Sequence, residues 1–181
     1  MKKRLALLQM DVHVNDVEYN YNRVQELLTQ SLTENPDIIV LPETWNTGFY
    51  PSTDLINIAD NNGDRTKALL SAFTKEHNVN IVGGSVAVSK DDLVFNTSYA
   101  YNREGTLVGE YSKMHGFSPA KEDKYFASGT HTTHFKLDGI PCSTVICYDI
   151  RFPELVRMAA LPGTELLFVP AQWPTMRLRH W

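Results

Sequence analysis

The sequence predicts an α/β fold in which sheets and helices are stacked in layers. In the first half of the chain, short apolar runs alternate with segments whose apolar residues recur at helical spacing. Further along, strand-like runs follow one another closely and are separated by turn residues, which indicates β-hairpins. No internal repeat or linker is visible, so we predict one domain over residues 1–181.

The first half of the chain predicts strand, helix and strand in that order. Leu5–Met10 is apolar enough for a strand, and Asn15 is expected to cap the helix that follows. Pro36 ends this helix, and residues 37–41 form a short strand that is apolar on both faces. The apolar side of the helix is predicted to consist of Val17, Tyr21, Val24, Leu28 and Leu32.

A second helix and a long strand follow. Residues 61–64 open the helix, and residues 79–88 are predicted to form one strand that contains the Gly83-Gly84 pair. Residues 95–101 and 106–112 are strand-like and flank a polar turn, which predicts a β-hairpin.

The second half begins with a loop, residues 113–128, that is long enough to indicate a function. Residues 132–137 and 141–147 then predict two strands joined by an Asp-Gly turn. Pro153 suits the first turn of a helix that runs to about Ala160, and residues 165–170 predict a last buried strand.

Composition narrows the class of protein. The net charge is −4 and no basic stripe occurs, so we expect no nucleic-acid partner. The apolar run Leu5–Leu8 is too short for a signal peptide or a membrane span, so we expect a cytoplasmic protein without a membrane partner. In a reducing compartment Cys142 and Cys147, which belong to no CxxC pair, are expected to be free thiols.

Three reactive residues lie just after predicted strands. Glu43, Lys113 and Cys147 each follow an apolar run, and the carboxyl ends of strands are where α/β sheets bind ligands. An acid, an amine and a thiol at one sheet edge can form a nucleophilic site. Glu43 could take the thiol proton, and Lys113 could stabilise the thiolate, which predicts a low-pKa cysteine.

The two cysteines differ in the residues that come after them. A cysteine in an apolar strand is usually a core residue, and we assign Cys142 to the core. Cys147 instead precedes a strand-to-helix turn that leads to Pro153, a geometry that exposes a nucleophile at a sharp elbow.

Residues 41–45, 111–115 and 147–155 resemble the three signature segments of the nitrilase superfamily, in the order and with the spacing of that family. The resemblance implies a four-layer αββα sandwich. Family members extend well beyond residue 181, so the resemblance also implies that the chain lacks its C-terminal part.

The resemblance implies a role for each reactive residue. Glu43 is the general base, Lys113 supports the oxyanion, and Cys147 forms a thioester with the acyl group. The backbone N–H of Tyr148 completes the oxyanion hole, and Glu122 corresponds to a second glutamate that assists the site. One departure is Gly116, where many members have leucine, which is expected to make this loop more flexible.

Within the superfamily the chain resembles the ω-amidase branch, which implies a small amide and water as reactants. Phe49, Tyr148 and Trp173 are then expected to wall the substrate pocket. We expect neither a cofactor nor a metal, since His131 and His134 lie on opposite faces of an extended stretch. The resemblance further implies a homodimer.

Two other functions stay open. The first is an N-carbamoyl amidase of the same superfamily, which would release carbon dioxide as well as ammonia. The second is a fragment without catalytic activity, in which a thiol reagent would find two ordinary cysteines and no fast-reacting one.

Overall fold

The computed structural model describes residues 2–49, 54–173 and 175–180, which form two β-sheets with helices on their outer faces. The strands of the first sheet are β1 (Leu5–Leu7), β2 (Ile38–Val40), β3 (Asp60–Asn61), β4 (Asn80–Val82), β5 (Val86–Lys90), β6 (Leu93–Tyr101) and β7 (Leu107–Ser112). Those of the second sheet are β8 (His134–Leu137), β9 (Ile140–Thr144) and β10 (Leu166–Phe168). The helices are α1 (Val17–Ser31), α2 (Leu55–Ile58), α3 (Asp64–His77) and α4 (Pro153–Ala160).

The first sheet is mixed. Strands β1, β2 and β4 are parallel neighbours, whereas β6 runs antiparallel to β4, β5 and β7. The short strand β3 pairs with β5 in parallel. In the second sheet β9 is parallel to β10 and antiparallel to β8. Since β2 and β9 both belong to parallel pairs, their carboxyl ends are the places where α/β sheets bind ligands.

Four layers are held together by three apolar clusters. Helices α1 and α3 cover one face of the first sheet, with Tyr21, Leu28 and Leu70 packed in one cluster with Ile39 and Ile81. The other face packs on the second sheet, and α4 covers the far side of that sheet. The order of layers is therefore that of an αββα sandwich, which confirms the predicted fold class. The residues between the two sheets are Ile38, Val40, Val82, Ala100, Phe135, Leu137, Cys142 and Phe168.

The start and end of α1 differ from the prediction. Asp16, not Asn15, is the N-cap, and its carboxylate accepts the backbone N–H of Tyr19 at 3.1 Å. Asn15 has a left-handed backbone (φ 63°), which asparagine tolerates better than most residues. At the other end α1 stops at Ser31, and a 3-10 turn, Leu32–Glu34, leads to the left-handed Asn35 directly before Pro36.

The prediction of a single strand over residues 79–88 is wrong, because the segment forms two strands, β4 and β5. Residues 83–85 make an irregular break between them. Gly83 donates its N–H to the carbonyl of Tyr99 at 2.8 Å, and Gly84 then takes up a left-handed conformation (φ 62°). The two strands pair with successive parts of the same edge of β6, so both halves are apolar and the sequence pattern runs through the break.

The predicted strand 141–147 extends too far, because Cys147 lies beyond the end of the observed strand. Strand β9 ends at Thr144, and Cys147 begins a 3-10 turn, Cys147–Arg151, that leads into α4. The hairpin of β6 and β7 and the helix that begins at Pro153 are confirmed. Every helix in the described part of the chain is too short or too polar to cross a bilayer.

Candidate active site

The structure brings Glu43, Lys113 and Cys147 together inside the molecule. They follow β2, β7 and β9 respectively, and their exposed fractions are 0%, 3% and 4%. Lys113 Nζ lies 2.8 Å from Glu43 Oε1, and the Cys147 thiol lies close to the Glu43 carboxylate, which raises the pKa of the thiol. A buried acid, amine and thiol in contact can perform nucleophilic acyl transfer.

The break between β4 and β5 positions Glu43. The carbonyl of Pro42 accepts the N–H of Ser85 at 3.0 Å, and the Ser85 hydroxyl accepts the N–H of Thr44 at 2.9 Å. A Cβ on Gly84 would lie only 2.0 Å from the Pro42 carbonyl oxygen. Glycine is therefore required at position 84 for the Glu43 segment to approach the sheet so closely.

Lys113 is held as a cation. Its backbone N–H donates to the carbonyl of Asn96 at 2.8 Å, and its ammonium contacts both Glu43 and Glu122 at 2.8 Å. Burial acts to lower the pKa of Lys113, but the two carboxylates outweigh burial and the pKa is raised. Lys113 thus carries its charge throughout the physiological pH range.

Glu122 is in the site, on a 3-10 turn of the loop after Lys113, and its carboxylate is saturated with donors. Oε1 accepts Lys113 Nζ at 2.8 Å and Asn96 Nδ2 at 3.2 Å. Oε2 accepts Lys113 Nζ at 2.8 Å and the backbone N–H of Phe117 at 2.7 Å. Two carboxylate oxygens offer about four lone-pair sites, so little capacity is left to receive a substrate proton.

Glu43 differs from Glu122 in one of its four contacts. It accepts Lys113 Nζ at 2.8 Å, Asn96 Nδ2 at 3.1 Å and the N–H of Gln172 at 2.9 Å, and its remaining contact is the Cys147 thiol. The proton on that thiol is therefore the one that Glu43 is placed to remove.

Cys147 is a protonated thiol in the resting site. Burial raises its pKa, and the nearby Glu43 carboxylate raises it further, whereas Lys113 acts to lower it. The prediction of a low-pKa cysteine is therefore wrong, because burial and the Glu43 carboxylate together outweigh the effect of Lys113 on the pKa of Cys147. The backbone of Cys147 is left-handed (φ 47°), and its N–H donates to the carbonyl of Pro170 at 2.9 Å.

Aromatic residues pack near these groups, and the three predicted wall residues, Phe49, Tyr148 and Trp173, take part in two separate sets of contacts. The Phe49 ring lies 5.8 Å from Lys113 Nζ, and Phe117 bridges it to Tyr148 with ring-centroid distances of 6.3 Å and 5.0 Å. Trp173 belongs to a separate apolar cluster that includes Cys147. Gly116, expected to loosen this loop, is packed closely, since a Cβ there would lie 3.1 Å from the backbone nitrogen of Asp123.

Sequence reasoning missed two buried polar residues of the site, Asn96 and Asp149. Asp149 Oδ2 accepts the N–H of Ile146 at 3.0 Å and the Tyr111 hydroxyl at 2.7 Å, and Oδ1 accepts the N–H of His115 at 2.9 Å. It therefore connects the Cys147 turn to both sides of Lys113. A polar residue inside a strand or turn predicted to be buried was the available signal, because such groups need partners.

No three His, Cys, Asp or Glu side chains come together as a metal site in the part of the chain that the structure describes. His131 and His134 are both exposed and lie outside the site.

Comparison with known proteins identifies the family. A family model described as carbon-nitrogen hydrolase matches residues 4–181. The chain belongs to the carbon-nitrogen hydrolase family. It is 39% identical over 181 residues to a 2-oxoglutaramate amidase of Bacillus subtilis, covering 100% of this chain and 69% of that protein. It is 33% identical over 180 residues to a hydrolase in the agr operon of Staphylococcus aureus, with coverage of 98% and 69%.

A solved structure shows the same architecture. A CN-hydrolase superfamily protein of Xanthomonas campestris, which carries an arsenic adduct in its active site, aligns with a TM-score of 0.86 and 28% identity. The alignment covers 99% of this chain and 68% of that one. As a carbon-nitrogen hydrolase, the chain acts on C–N bonds other than peptide bonds, and its reactants are a small molecule and water.

Proposed function

We propose that this carbon-nitrogen hydrolase removes the terminal amide of a small dicarboxylate monoamide, such as 2-oxoglutaramate, and releases ammonia. The observation that carries the proposal is the buried contact of Cys147 with Glu43, and of Glu43 with Lys113. The amide class is supported by the 39% identity to the 2-oxoglutaramate amidase of Bacillus subtilis.

The first half-reaction is acylation of the cysteine. Glu43 takes the thiol proton as the Cys147 sulfur attacks the amide carbon, and the carbonyl oxygen becomes an oxyanion. The Lys113 ammonium and the backbone N–H of Tyr148 stabilise that oxyanion. Glu43 then gives its proton to the amide nitrogen, the C–N bond breaks, and ammonia leaves a thioester on Cys147.

The second half-reaction uses water. Glu43, again unprotonated, takes a proton from a water molecule, whose oxygen attacks the thioester carbon. The C–S bond then breaks, the free carboxylic acid leaves, and the Cys147 sulfur recovers the proton from Glu43. One glutamate thus serves as base and acid in both steps, while Glu122 keeps Lys113 in place.

Substrate choice is assigned to the aromatic walls and one cation. We assign the apolar walls of the pocket to Phe49, Tyr148 and Trp173, because their rings pack near the reactive residues, and such walls suit a short carbon chain. The Arg151 guanidinium lies 5.6 Å from the Trp173 ring centroid, on the turn that Cys147 begins. We assign the far carboxylate of the substrate to Arg151, because guanidinium groups pair with carboxylates in a two-point geometry.

The test is ammonia release from a matched set of compounds. 2-Oxoglutaramate and succinamate should be hydrolysed faster than butyramide, which lacks the second carboxylate. An N-carbamoyl amine serves as the rival substrate. If it were the best of the four, the N-carbamoyl amidase would replace the present proposal, and no turnover with any amide would favour the inactive fragment.

The cysteines supply the control for this assay. Cys147→Ala should abolish ammonia release, because no other thiol reaches Glu43 among the described residues. Cys142→Ala should keep turnover and lower only stability, since Cys142 lies in the apolar cluster between the sheets. Substantial turnover by Cys147→Ala would refute the thioester route.

We also propose a cellular location and an oligomeric state for the enzyme. A reducing, cytoplasmic location is supported by two buried cysteines that are both free thiols, one of them needed as nucleophile. A homodimer is proposed from the family resemblance alone, and light scattering of the purified protein would test it.

A further inference from the structure

Asn96 lies at the centre of the site, although no step of the proposed reaction uses it. It lies in the middle of β6 with an exposed fraction of 0%, and its backbone carbonyl accepts the N–H of Lys113 at 2.8 Å. Asparagine is unfavourable inside strands, and a buried amide needs partners. A fully buried asparagine at this position therefore requires an explanation.

The side-chain amide bridges the two carboxylates. Asn96 Nδ2 donates to Glu43 Oε1 at 3.1 Å and to Glu122 Oε1 at 3.2 Å. Lys113 Nζ donates to the same two oxygens, at 2.8 Å each. Two donor nitrogens and two acceptor oxygens thus form a closed ring, of which the amide is the uncharged half.

The charge balance explains why an uncharged donor is useful. Glu43 and Glu122 carry two negative charges against the single positive charge of Lys113, and all three residues are at most 3% exposed. Buried like charges repel strongly unless hydrogen bonds satisfy them. An amide satisfies both carboxylates without competing with Lys113 for the oxyanion that forms during the reaction.

We propose that Asn96 is a positioning residue that keeps Glu43 and Glu122 ionised and in register while Lys113 acts on the substrate. The inference rests on the proposed function, since it assumes that Glu43 is the base. The other groups that contact these carboxylates among the described residues are Cys147 and the backbone N–H groups of Phe117 and Gln172.

Two substitutions at this position separate the donor role from packing. Asn96→Ala removes the donor, so the carboxylates take up a proton more readily and the acidic limb of the kcat/KM profile moves up by about one pH unit. Asn96→Asp keeps the size but adds a third carboxylate. Its activity should approach that of the parent at low pH, where the added group is protonated and can donate, and should fall as the pH rises.

Ser98→Ala is the matched control. Ser98 is two residues further along β6 and 1% exposed, and its hydroxyl has no hydrogen-bond partner among the residues that the structure describes. Since residues two apart share a face of a strand, this change removes a buried oxygen from the same surface without touching a carboxylate. Urea unfolding of all variants confirms that each one folds.

The expected result is that Asn96→Ala loses activity mainly at low pH and Asn96→Asp mainly at high pH. Ser98→Ala should leave the pH profile of kcat/KM unchanged. Losses that are equal at every pH in both variants would show that only packing matters and would overturn the inference. If the parent hydrolysed no amide, the proposed function would fail. The pH dependence of Cys147 alkylation by iodoacetamide would then test the role of Asn96 independently of turnover. A third carboxylate should raise the midpoint of that dependence in Asn96→Asp alone, and an unchanged midpoint would refute the inference.

Discussion

The two glutamates of this site differ in role because their carboxylate oxygens contact different donor groups. Glu43 and Glu122 both contact Lys113 and Asn96, and both are buried. Each also accepts one backbone N–H, from Gln172 and Phe117 respectively. The fourth contact of Glu43 is a thiol that can lose its proton, whereas that of Glu122 is a second contact with the Lys113 ammonium. The ammonium keeps its proton, so Glu43 can act as base and Glu122 serves as a support.

The same substitution at both carboxylates tests this difference. Glu43→Gln should lower kcat by about 10²–10⁴-fold with little change in substrate binding, because the amide cannot accept the thiol proton. Glu122→Gln should cost on the order of tenfold, since it disturbs the position of Lys113 without removing the base. Steady-state kinetics with the best amide measures both effects. A larger loss in Glu122→Gln than in Glu43→Gln would reverse the assignment.

The sequence located the reactive residues and, through the family resemblance, the supporting Glu122, but it did not reveal the supports Asn96 and Asp149, for a physical reason. Glu43, Lys113 and Cys147 each follow an apolar run, so the rule that strands end at the ligand-binding edge was enough to group them. Asn96 and Asp149 contact residues far away in the chain, across 53 and 38 positions in the largest cases. Such partners become visible only when the topology is known.

At the level of elements, the site is built from two irregular connections. The break between β4 and β5 receives the Glu43 segment, and the 3-10 turn after β9 presents Cys147. The sequence predicted the β6–β7 hairpin correctly, because its turn contains polar residues and a glycine. It concealed the break, because residues 83–85 lie between the apolar runs 81–82 and 86–88, and because the carbonyl that approaches Gly84 belongs to the distant Pro42.

The turn that carries Cys147 depends on the hydrogen bond from Tyr111 to Asp149. Tyr111→Phe removes a fully buried 2.7 Å bond to a carboxylate, so the free energy of unfolding should fall by roughly 1.5–3 kcal/mol. Turnover should fall too, because the turn and the Lys113 loop are no longer tied together.

Tyr101→Phe is the control for this prediction. Tyr101 is 4% exposed, and its pKa is raised to about 12 by burial and by the charge of Glu110. Among the residues that the structure describes, its hydroxyl makes no hydrogen bond to a carboxylate. Urea unfolding of both variants compares the two losses. Equal destabilisation would show that ring packing, and not the bond to Asp149, holds the turn.

At the scale of the whole molecule, ion pairs link the two sheets at the end opposite the active site. Asp37 precedes β2, and Asp138 lies in the turn between β8 and β9. The site residues Glu43 and Cys147 follow the opposite ends of β2 and β9. The Arg103 guanidinium contacts Asp138 at 2.8 Å and Asp37 at 3.0 Å, and Lys3 contacts Asp138 at 2.7 Å. A charge cluster at this end complements the apolar cluster between the sheets.

This cluster predicts how stability depends on pH. The hydrogen bond from Arg103, with help from Lys3, holds the pKa of Asp138 well below its usual range although burial opposes the shift. An unfolded aspartate titrates near a pKa of about 3.9, so the stabilisation is complete above that pH and is lost as the pH falls towards the lower folded value. Asp138→Asn should therefore lower the free energy of unfolding by about 1 kcal/mol at pH 7 and by progressively less below pH 4.

Asp92→Asn provides the comparison for this variant, because the two aspartates share a backbone conformation. Both have a left-handed φ in a hairpin turn, 50° at Asp138 and 60° at Asp92, but of the two only Asp138 forms ion pairs with the residues that the structure describes. Asparagine tolerates this conformation, so the substitution tests the charge and not the turn. Urea unfolding from pH 7 to pH 3 should show the difference between the two variants shrinking below about pH 4, because Asp138 then takes up a proton in the unfolded chain while the folded protein keeps the charge. A difference that stayed constant over this range would mean that the ion pairs do not fasten the sheets.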